Sequence, residues 1–323
     1  MRTIVSHSTT TESGEIWDII IEEEHSESED EVLVVCEDSE VTPSSSDITI
    51  ASFDIGKKNF AQYVETISKD EIEHLKKCYA ASKSGRASLV KTRTPEYRNF
   101  LKSVYLTGRR VHTGVYDLRN ERKEDVLDNE TRKNIIRHLH DHKWLWEKCN
   151  VFVIEQQFFK PSGRRGRNLD SSQANVDALK ISELLIGWLL NEYPDKEHLF
   201  FGSTNKTQLL GAPPKLKRKG VKDFCIEQAK LLYKLRNDHS INELFTLQEF
   251  IKGKTAKTLE TSGKIFIERM CPSSTSERSE KSGVRELVTK VMKRQKLDDI
   301  CDACSQCQAF KIKNYVLDMP LTS

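Results

Sequence analysis

The sequence has no apolar run long enough to cross a bilayer as a helix, which takes about 20 consecutive apolar residues. It also lacks a basic N-terminal region followed by an apolar stretch, so we expect no secretory signal peptide. Hydrophobic residues make up 37% of the 323 positions. Even with glycine added, the apolar share stays below the usual value of about 45–50%. These absences predict a protein without a membrane span in which part of the chain does not pack into a core.

Basic residues are scarce at the start of the chain. Residues 1–47 contain one, Arg2, against 14 acidic residues, whereas the remainder contains 50 basic and 35 acidic residues. Because this first segment is rich in serine, threonine and glutamate, it cannot bury enough apolar surface to offset the entropy of ordering. We therefore predict that residues 1–47 are a disordered acidic tail. The positive excess on residues 48–323 indicates a polyanionic partner such as nucleic acid.

Two aliphatic clusters interrupt the acidic tail. Residues 19–21 run directly into three glutamates, and residues 32–35 are followed by acidic residues at positions 37, 38 and 40. A short apolar strand with an acidic flank can add to the exposed sheet edge of a partner. Both clusters resemble SUMO-interacting motifs, which implies SUMO or a SUMOylated protein as a partner. Occasional aliphatic clusters in any disordered tail are the alternative.

The eight cysteines, without a secretion signal, indicate reduced thiols inside the cell rather than a disulfide scaffold. Cys301, Cys304 and Cys307 are spaced like metal ligands. They lack a fourth partner and lie in a helical pattern, so we interpret them as packing residues. His138 and His142 share a helix face, but no acidic pattern completes a zinc site around them.

Hydrophobic periodicity predicts the order of the elements. The predicted strands lie at 48–53, 60–67, 110–118, 151–154 and 198–201. The predicted helices lie at 129–148, with Asp128 or Asn129 as the cap, and at 173–192, 219–235 and 284–309. Three strands followed by alternating helices and strands are typical of one α/β domain, placed here at 48–323. Lysine-rich residues 69–105 and polar residues 252–284 are interpreted as surface insertions.

Four acidic residues lie at positions that a solvated surface does not explain. Asp54 and Glu155 each directly follow an apolar strand, where an unpaired carboxylate beside the core is costly. Asp299 and Asp302 are three residues apart, so they share one face of the last helix. Four carboxylates suit a pair of hard divalent cations such as Mg²⁺, which together can promote phosphodiester cleavage.

The order of these acids resembles a known nuclease family. The segments Asp54-Ile-Gly-Lys-Lys-Asn-Phe-Ala, Ile154-Glu155-Gln156-Gln157-Phe158 and Asp299-Ile-Cys-Asp302-Ala are similar to the three acidic motifs of RuvC-type Holliday junction resolvases. The branch they resemble is that of poxviruses, other large eukaryotic DNA viruses and fungal mitochondria. The resemblance covers roughly residues 48–210 and 285–312. It implies a ribonuclease H-like fold, with a mixed five-stranded sheet and flanking helices.

The resemblance also implies an activity and its residues. It implies a homodimer that cuts four-way DNA junctions with symmetric nicks, using Mg²⁺ or Mn²⁺ and two ions in each active site. Asp54, Glu155, Asp299 and Asp302 match the metal-binding acids, and Lys206 matches a lysine near the scissile phosphate. We expect a location in the nucleus or at a cytoplasmic viral replication site, between which the sequence does not decide. Asp298 leaves a one-residue ambiguity, in which the three-residue spacing to Asp302 favours Asp299.

Several further residues are candidate DNA contacts. The resemblance implies that Gln156 and Phe158 approach junction DNA. The basic residues that could contact phosphates are Lys57, Lys58, Arg164, Arg165 and Arg167. The basic run at 215–222 is either another phosphate contact or a nuclear localisation signal. Two alternative functions remain open at this point. One is another ribonuclease H-like nuclease, acting on RNA–DNA hybrids or as an integrase, and the other is a catalytically silent DNA-binding scaffold.

Overall fold

The computed structural model describes residues 3–10, 16–23, 33–36, 47–82, 94–124, 126–156, 170–239, 241–242, 245–246 and 297–317. The strands are β1 (Thr3–Thr10), β2 (Ile16–Glu23), β3 (Leu33–Cys36), β4 (Ile48–Asp54), β5 (Phe60–Ile67), β6 (Arg109–Tyr116), β7 (Val151–Gln156) and β8 (Glu197–Gly202). The helices are α1 (Lys69–Ala81), α2 (Pro95–Leu106), α3 (Asn129–Asp141), α4 (Lys143–Trp146), α5 (Asp170–Glu192), α6 (Ser203–Leu209), α7 (Arg218–Leu235) and α8 (Leu297–Phe310). A π-helical segment, Lys311–Val316, continues α8.

A mixed sheet forms the centre of the fold. Its strand order is β3-β6-β5-β4-β7-β8. β4 pairs antiparallel with β5 and parallel with β7, and β7 pairs parallel with β8. Strands β4 to β8 make the mixed five-stranded sheet with flanking helices that the resemblance implies, and the α/β class predicted from the sequence is confirmed. The arrangement is consistent with a ribonuclease H-like fold.

Successive residues of β4 face two separate cores, as the two-residue period of a strand requires. Ile50 packs on one side against α1, α2, α7 and α8, with Leu75 and Phe310 in the same cluster. Phe53 packs on the other side against α3, α4 and α5, together with Trp146. Helices cover both faces of the sheet, so its central strands are buried. Residues at the ends of these strands are the ones that can reach solvent.

Residues 69–105 differ from the surface insertion expected from their lysine content. Ser68 and Glu71 form a capping box at the start of α1, and Thr94 caps α2. Tyr97 and Phe100 are 2% exposed and belong to the core cluster that also contains α8. The lysines occupy the outer faces of helices whose inner faces pack into the core. The second insertion, at 252–284, lies outside the described residues.

The structure describes three strands within the acidic segment, while the disorder expected for residues 1–47 as a whole stays a prediction. β1 and β2 pair as an antiparallel hairpin. β3 adds to the sheet edge beside β6, with Leu33 opposite Val115. The cause is local, because β-branched residues favour strands and the outer edge of β6 offers backbone groups that need partners. The aliphatic cluster at 32–35 therefore coincides with an edge strand of the chain itself.

The remaining elements follow the sequence predictions closely. Asp128 accepts a hydrogen bond from the backbone of Thr131 and caps α3, and His142 separates α3 from α4. The last helix begins at Leu297 among the described residues, and positions 284–296 lie outside them. Cys301, Cys304 and Cys307 are buried in the core, consistent with packing residues. Within the described part of the chain, no helix is both long enough and apolar enough to span a membrane.

Candidate active site

Two acids come from neighbouring parallel strands. Asp54 ends β4, and Glu155 lies one residue before the end of β7. The register pairs Phe53 with Ile154, so the two carboxylates follow adjacent positions on parallel strands. Because parallel strands end at the same edge of a sheet, the buried runs 50–53 and 151–154 deliver both acids to one place.

The other two acids come from α8. Asp299 and Asp302 lie on the first two turns of this helix, and Asp299 is 8% exposed. Together with Asp54 and Glu155 they line a single cleft of about 490 Å³. The structure therefore brings Asp54 and Asp299 into one cleft, although they are 245 positions apart in the sequence.

Lys206 lies among these carboxylates. It is carried by α6, which follows β8 directly, and is 4% exposed. Its Nζ is 2.8 Å from Asp302 Oδ1 and 3.5 Å from Glu155 Oε1. Burial alone lowers the pKa of a lysine, but Glu155 and Asp302 outweigh it and raise the pKa of Lys206 above its ordinary value. Lys206 is therefore a charged ammonium inside the acidic cleft.

Asp54 experiences the opposite balance. Burial is the largest cause that raises its pKa well above the ordinary value, and repulsion from Glu155 adds to this effect. Lys206 acts in the other direction, while Asp302 and Asp299 raise the pKa further. The four carboxylates share a cleft lined by two lysines, Lys206 and Lys222, and Lys222 forms an ion pair with Asp298. An added cation would relieve the repulsion that remains between the carboxylates.

Asp298 and Asp299 differ in their surroundings. The side chain of Asp298 forms an ion pair with Lys222 of α7 at 2.7 Å. Asp299 lines the cleft, and Asp298 is not among the lining residues. This placement agrees with the three-residue spacing that assigned Asp299, although the metal-binding role of these acids stays a prediction.

A hydrogen-bonded pair that the sequence did not predict joins α8 to the sheet beside the acids. Ser52 Oγ donates to the carbonyl oxygen of Ala303 at 2.9 Å. The side-chain amide of Gln306 donates at 3.1 Å to Ser52 Oγ and at 3.1 Å to the carbonyl oxygen of Val153. Cys225 of α7 is another residue at the site that the sequence did not predict, and its thiol forms a hydrogen bond with Asp302. Burial is the main cause that raises the pKa of this thiol to about 12. No local pattern in the sequence marks these residues.

The predicted DNA contacts fall into two groups. Lys57 forms an ion pair with Asp177 of α5, and Lys58 is exposed at the turn between β4 and β5. Gln156 ends β7 and is half-buried beside Glu155. The others lie outside the described residues: Phe158, Arg164, Arg165 and Arg167.

The histidines belong to a separate polar cluster. His138 Nε2 is 3.2 Å from Gln62 Oε1, and its ring centroid is 4.2 Å from that of His142. His112 of β6 contacts the same glutamine at 2.8 Å. His140 instead packs edge-on against Trp188. The cluster lies on the α3 side of the sheet, on the face opposite α8.

The fit of a divalent cation rests on the chemistry of the donors. Carboxylate oxygens are the ligands that Mg²⁺ and Mn²⁺ prefer. Among the described residues, however, no group of three or more acidic, histidine or cysteine side chains is arranged around a common metal position. Lys206 contacts two of the four carboxylates in this structure. The donor set fits a hard cation, and Asp54, Glu155, Asp299 and Asp302 are the residues that would hold it.

No family model matches the chain. The chain is 25% identical over 266 residues to "Uncharacterized protein 170L" of Invertebrate iridescent virus 6, an alignment that covers 82% of this chain and 89% of that protein. It is 24% identical over 196 residues to "Uncharacterized protein 97L" of Invertebrate iridescent virus 3, covering 56% and 83%. Among solved structures, Thermus thermophilus RuvC aligns with 55% of this chain and 78% of its own, at 13% identity and a TM-score of 0.26. The chain thus has relatives in iridescent viruses, while its similarity to RuvC is too weak to establish a shared fold.

Proposed function

We propose that this chain is a divalent-metal-dependent endonuclease that resolves four-way DNA junctions. One observation carries the proposal. Four carboxylates from two parallel strand ends and one helix line a single cleft, and a buried ammonium lies among them. Burial, followed by repulsion from Glu155, raises the pKa of Asp54, and a bound cation would favour its charged form. Hydrolysis of a phosphodiester is the reaction class that this donor set serves best.

Each residue has a defined task in this proposal. Asp54, Glu155, Asp299 and Asp302 hold the cations, which supply Lewis acidity to the phosphodiester. Lys206 keeps its proton and stabilises the negative charge that develops on the phosphate oxygens. Because its Nζ is held by Asp302, the ammonium needs little reorganisation to meet the phosphate. No covalent protein intermediate is required.

The substrate and the setting follow from the motif resemblance and from the relatives. A homodimer would place two clefts on one junction and nick its strands symmetrically. The net positive charge of residues 48–323 supports binding to phosphates without base specificity. The iridescent-virus relatives support a nucleus or a cytoplasmic viral replication site as the place of action.

The test is cleavage of a labelled synthetic four-way junction in Mg²⁺, beside a linear duplex and an RNA–DNA hybrid. Asp299→Asn is compared with Asp298→Asn, which removes the same charge one residue away. We expect paired nicks in the junction alone, reduced at least ~10³-fold by Asp299→Asn because one cation ligand is lost. Asp298→Asn should keep most of the activity, because the Asp298 carboxylate does not line the cleft and reaches it only through its ion pair with Lys222.

The outcomes separate the alternatives. Preferential cutting of the RNA–DNA hybrid would replace the resolvase with another ribonuclease H-like nuclease. Tight, salt-sensitive junction binding without cutting in Mg²⁺ or Mn²⁺ would identify a catalytically silent binding protein. Equal loss of activity in both aspartate variants would remove the assignment of Asp299.

A further inference from the structure

A buried polar junction connects α8 to both strands that carry the acids. Gln306 and Ser52 are 1% and 0% exposed. The amide nitrogen of Gln306 lies 3.1 Å from Ser52 Oγ, 3.2 Å from the carbonyl oxygen of Phe53 and 3.1 Å from that of Val153. Ser52 Oγ in turn donates to the carbonyl oxygen of Ala303. The Gln306 amide thus links α8 to both β4 and β7, and the Ser52 hydroxyl adds a second hydrogen bond between β4 and α8.

Every backbone group in this junction is within two residues of a cleft carboxylate. The carbonyl of Phe53 immediately precedes Asp54, and the carbonyl of Ala303 immediately follows Asp302. Val153 is two residues before Glu155. A shift of α8 relative to β4 or β7 that changes the spacing of the acids therefore also lengthens or breaks one of these hydrogen bonds.

Packing alone does not call for these side chains. Their neighbours on α8, including Cys304 and Cys307, belong to an apolar cluster in which a methionine fills similar volume without polar atoms. A buried amide is costly unless its hydrogen bonds are made, and here its donor group is fully used. Such directional bonds favour one register of helix against sheet, whereas apolar contacts allow several.

We propose that Gln306 and Ser52 are positioning residues that set the distance between the α8 carboxylates and those of β4 and β7, and so set the affinity of the cleft for divalent cations. This inference rests on the proposed function, because it takes the four acids as the cation ligands. Partners that orient ligands from outside the coordination sphere typically contribute about 10–100-fold in metal affinity.

The experiment measures binding of Mn²⁺ alone to the full chain by titration calorimetry, without DNA, together with urea unfolding. Gln306→Met is compared with Gln308→Met. Gln308 is also 1% exposed on α8, but its amide donates to Glu65 of β5, away from the cleft. We expect both variants to be less stable than wild type. Only Gln306→Met should weaken Mn²⁺ binding, by about 10-fold.

Ser52→Ala provides the second variant, since it removes the bond to Ala303 while leaving both glutamines in place. Its weakening of Mn²⁺ binding should not add to that of Gln306→Met, because both act through one junction. Wild-type Mn²⁺ affinity in Gln306→Met, or equal weakening in Gln308→Met, would overturn the inference while leaving the nuclease proposal intact. Mn²⁺ binding that depends on Gln306 in a protein that cuts no junction would support the inference and reject the nuclease. Absence of Mn²⁺ binding in the wild type would reject both.

Discussion

At the residue scale, the cleft is organised by the position of one buried cation, Lys206, among four acids. Lys206 is buried, and its ammonium contacts Asp302 and Glu155, two of the four proposed cation ligands. The same charge that stabilises these carboxylates in the free protein is available to a phosphate when DNA enters. The lysine therefore competes with metal ions for the acids and supports the reaction once they are bound.

Lys206→Met separates these two effects. Without the ammonium, Mn²⁺ should bind at least as tightly as in the wild type, because a competing cation has gone. Junction cleavage at saturating Mn²⁺ should fall about 10²–10³-fold, the usual effect of losing one group that stabilises transition-state charge. Calorimetry and single-turnover cleavage measure the two quantities.

Lys206→Arg is the matched control, since the arginine side chain is of similar length and keeps the positive charge at this buried position. We expect part of the cleavage rate to return, limited by the different shape of the guanidinium. Lower Mn²⁺ affinity in Lys206→Met, or cleavage within about twofold of wild type, would contradict the role given to the ammonium.

At the scale of elements, strong hydrophobic periodicity predicted the strands, whereas contacts between residues far apart in the sequence could not be predicted. The strand at 48–53 was predictable from its alternating pattern and the strand at 151–154 from its continuous apolar run. Their register in the sheet brings Asp54 and Glu155 together. The convergence of α8 on the same cleft could be expected only from the order of the motifs. The junction of Ser52 with Gln306 could not be predicted, because the two residues are 254 positions apart and neither belongs to a local pattern.

Helices α1 and α2 show another reason for error. Their exposed lysines and glutamates dominate the composition, while a narrow inner stripe that includes Leu75, Tyr97 and Phe100 packs into the core. In the acidic segment, composition predicts disorder, and it gives no sign that Leu33–Cys36 pair with the edge strand β6. Average composition does not reveal a few well-placed apolar side chains.

The histidine cluster between β5, β6 and α3 gives these elements a pH dependence. Burial, followed by repulsion from His142, lowers the pKa of His112 to about 3 and lowers that of His138 well below its ordinary value of 6.5. Both imidazoles are therefore neutral in the folded protein. In the unfolded chain each takes up a proton below pH 6.5, so the folded state loses stability as the pH falls from 6.5 toward 3.

We expect the free energy of unfolding to decrease between pH 6.5 and 5, by up to about 1.4 kcal/mol per pH unit for each of the two buried histidines. Urea unfolding at several pH values measures it. His112→Gln should be less stable at pH 7.5 because its contact with Gln62 changes, yet it should show a flatter decrease over this range. An equally steep decrease in His112→Gln would assign the acid sensitivity to other groups. Glu65, whose pKa is lowered to about 2, adds its own loss only below about pH 4.5.

At the scale of the whole molecule, the separation of charge along the chain is the main feature that the cleft does not explain. Residues 1–47 are strongly acidic, and residues 48–323 carry the basic excess. An acidic segment on the same chain is a local competitor for any surface that binds DNA phosphates. Its effect should depend on salt, since exposed charges more than about 8–10 Å apart are screened at physiological ionic strength.

Removal of residues 1–32, which leaves β3 in place, tests this competition. The truncated chain should bind a four-way junction about tenfold more tightly than the full chain at low salt, and the difference should shrink as salt increases because both interactions are electrostatic. Fluorescence anisotropy in Ca²⁺, in which cleavage is not expected, measures the affinity across a salt series. A synthetic peptide of residues 1–32, added in trans, should weaken binding by the truncated chain with the same salt dependence.

If truncation leaves the affinity unchanged at every salt concentration, the acidic segment does not face the DNA-binding surface. Its charge then serves another partner, for which the aliphatic cluster at 19–21 is the first site to test.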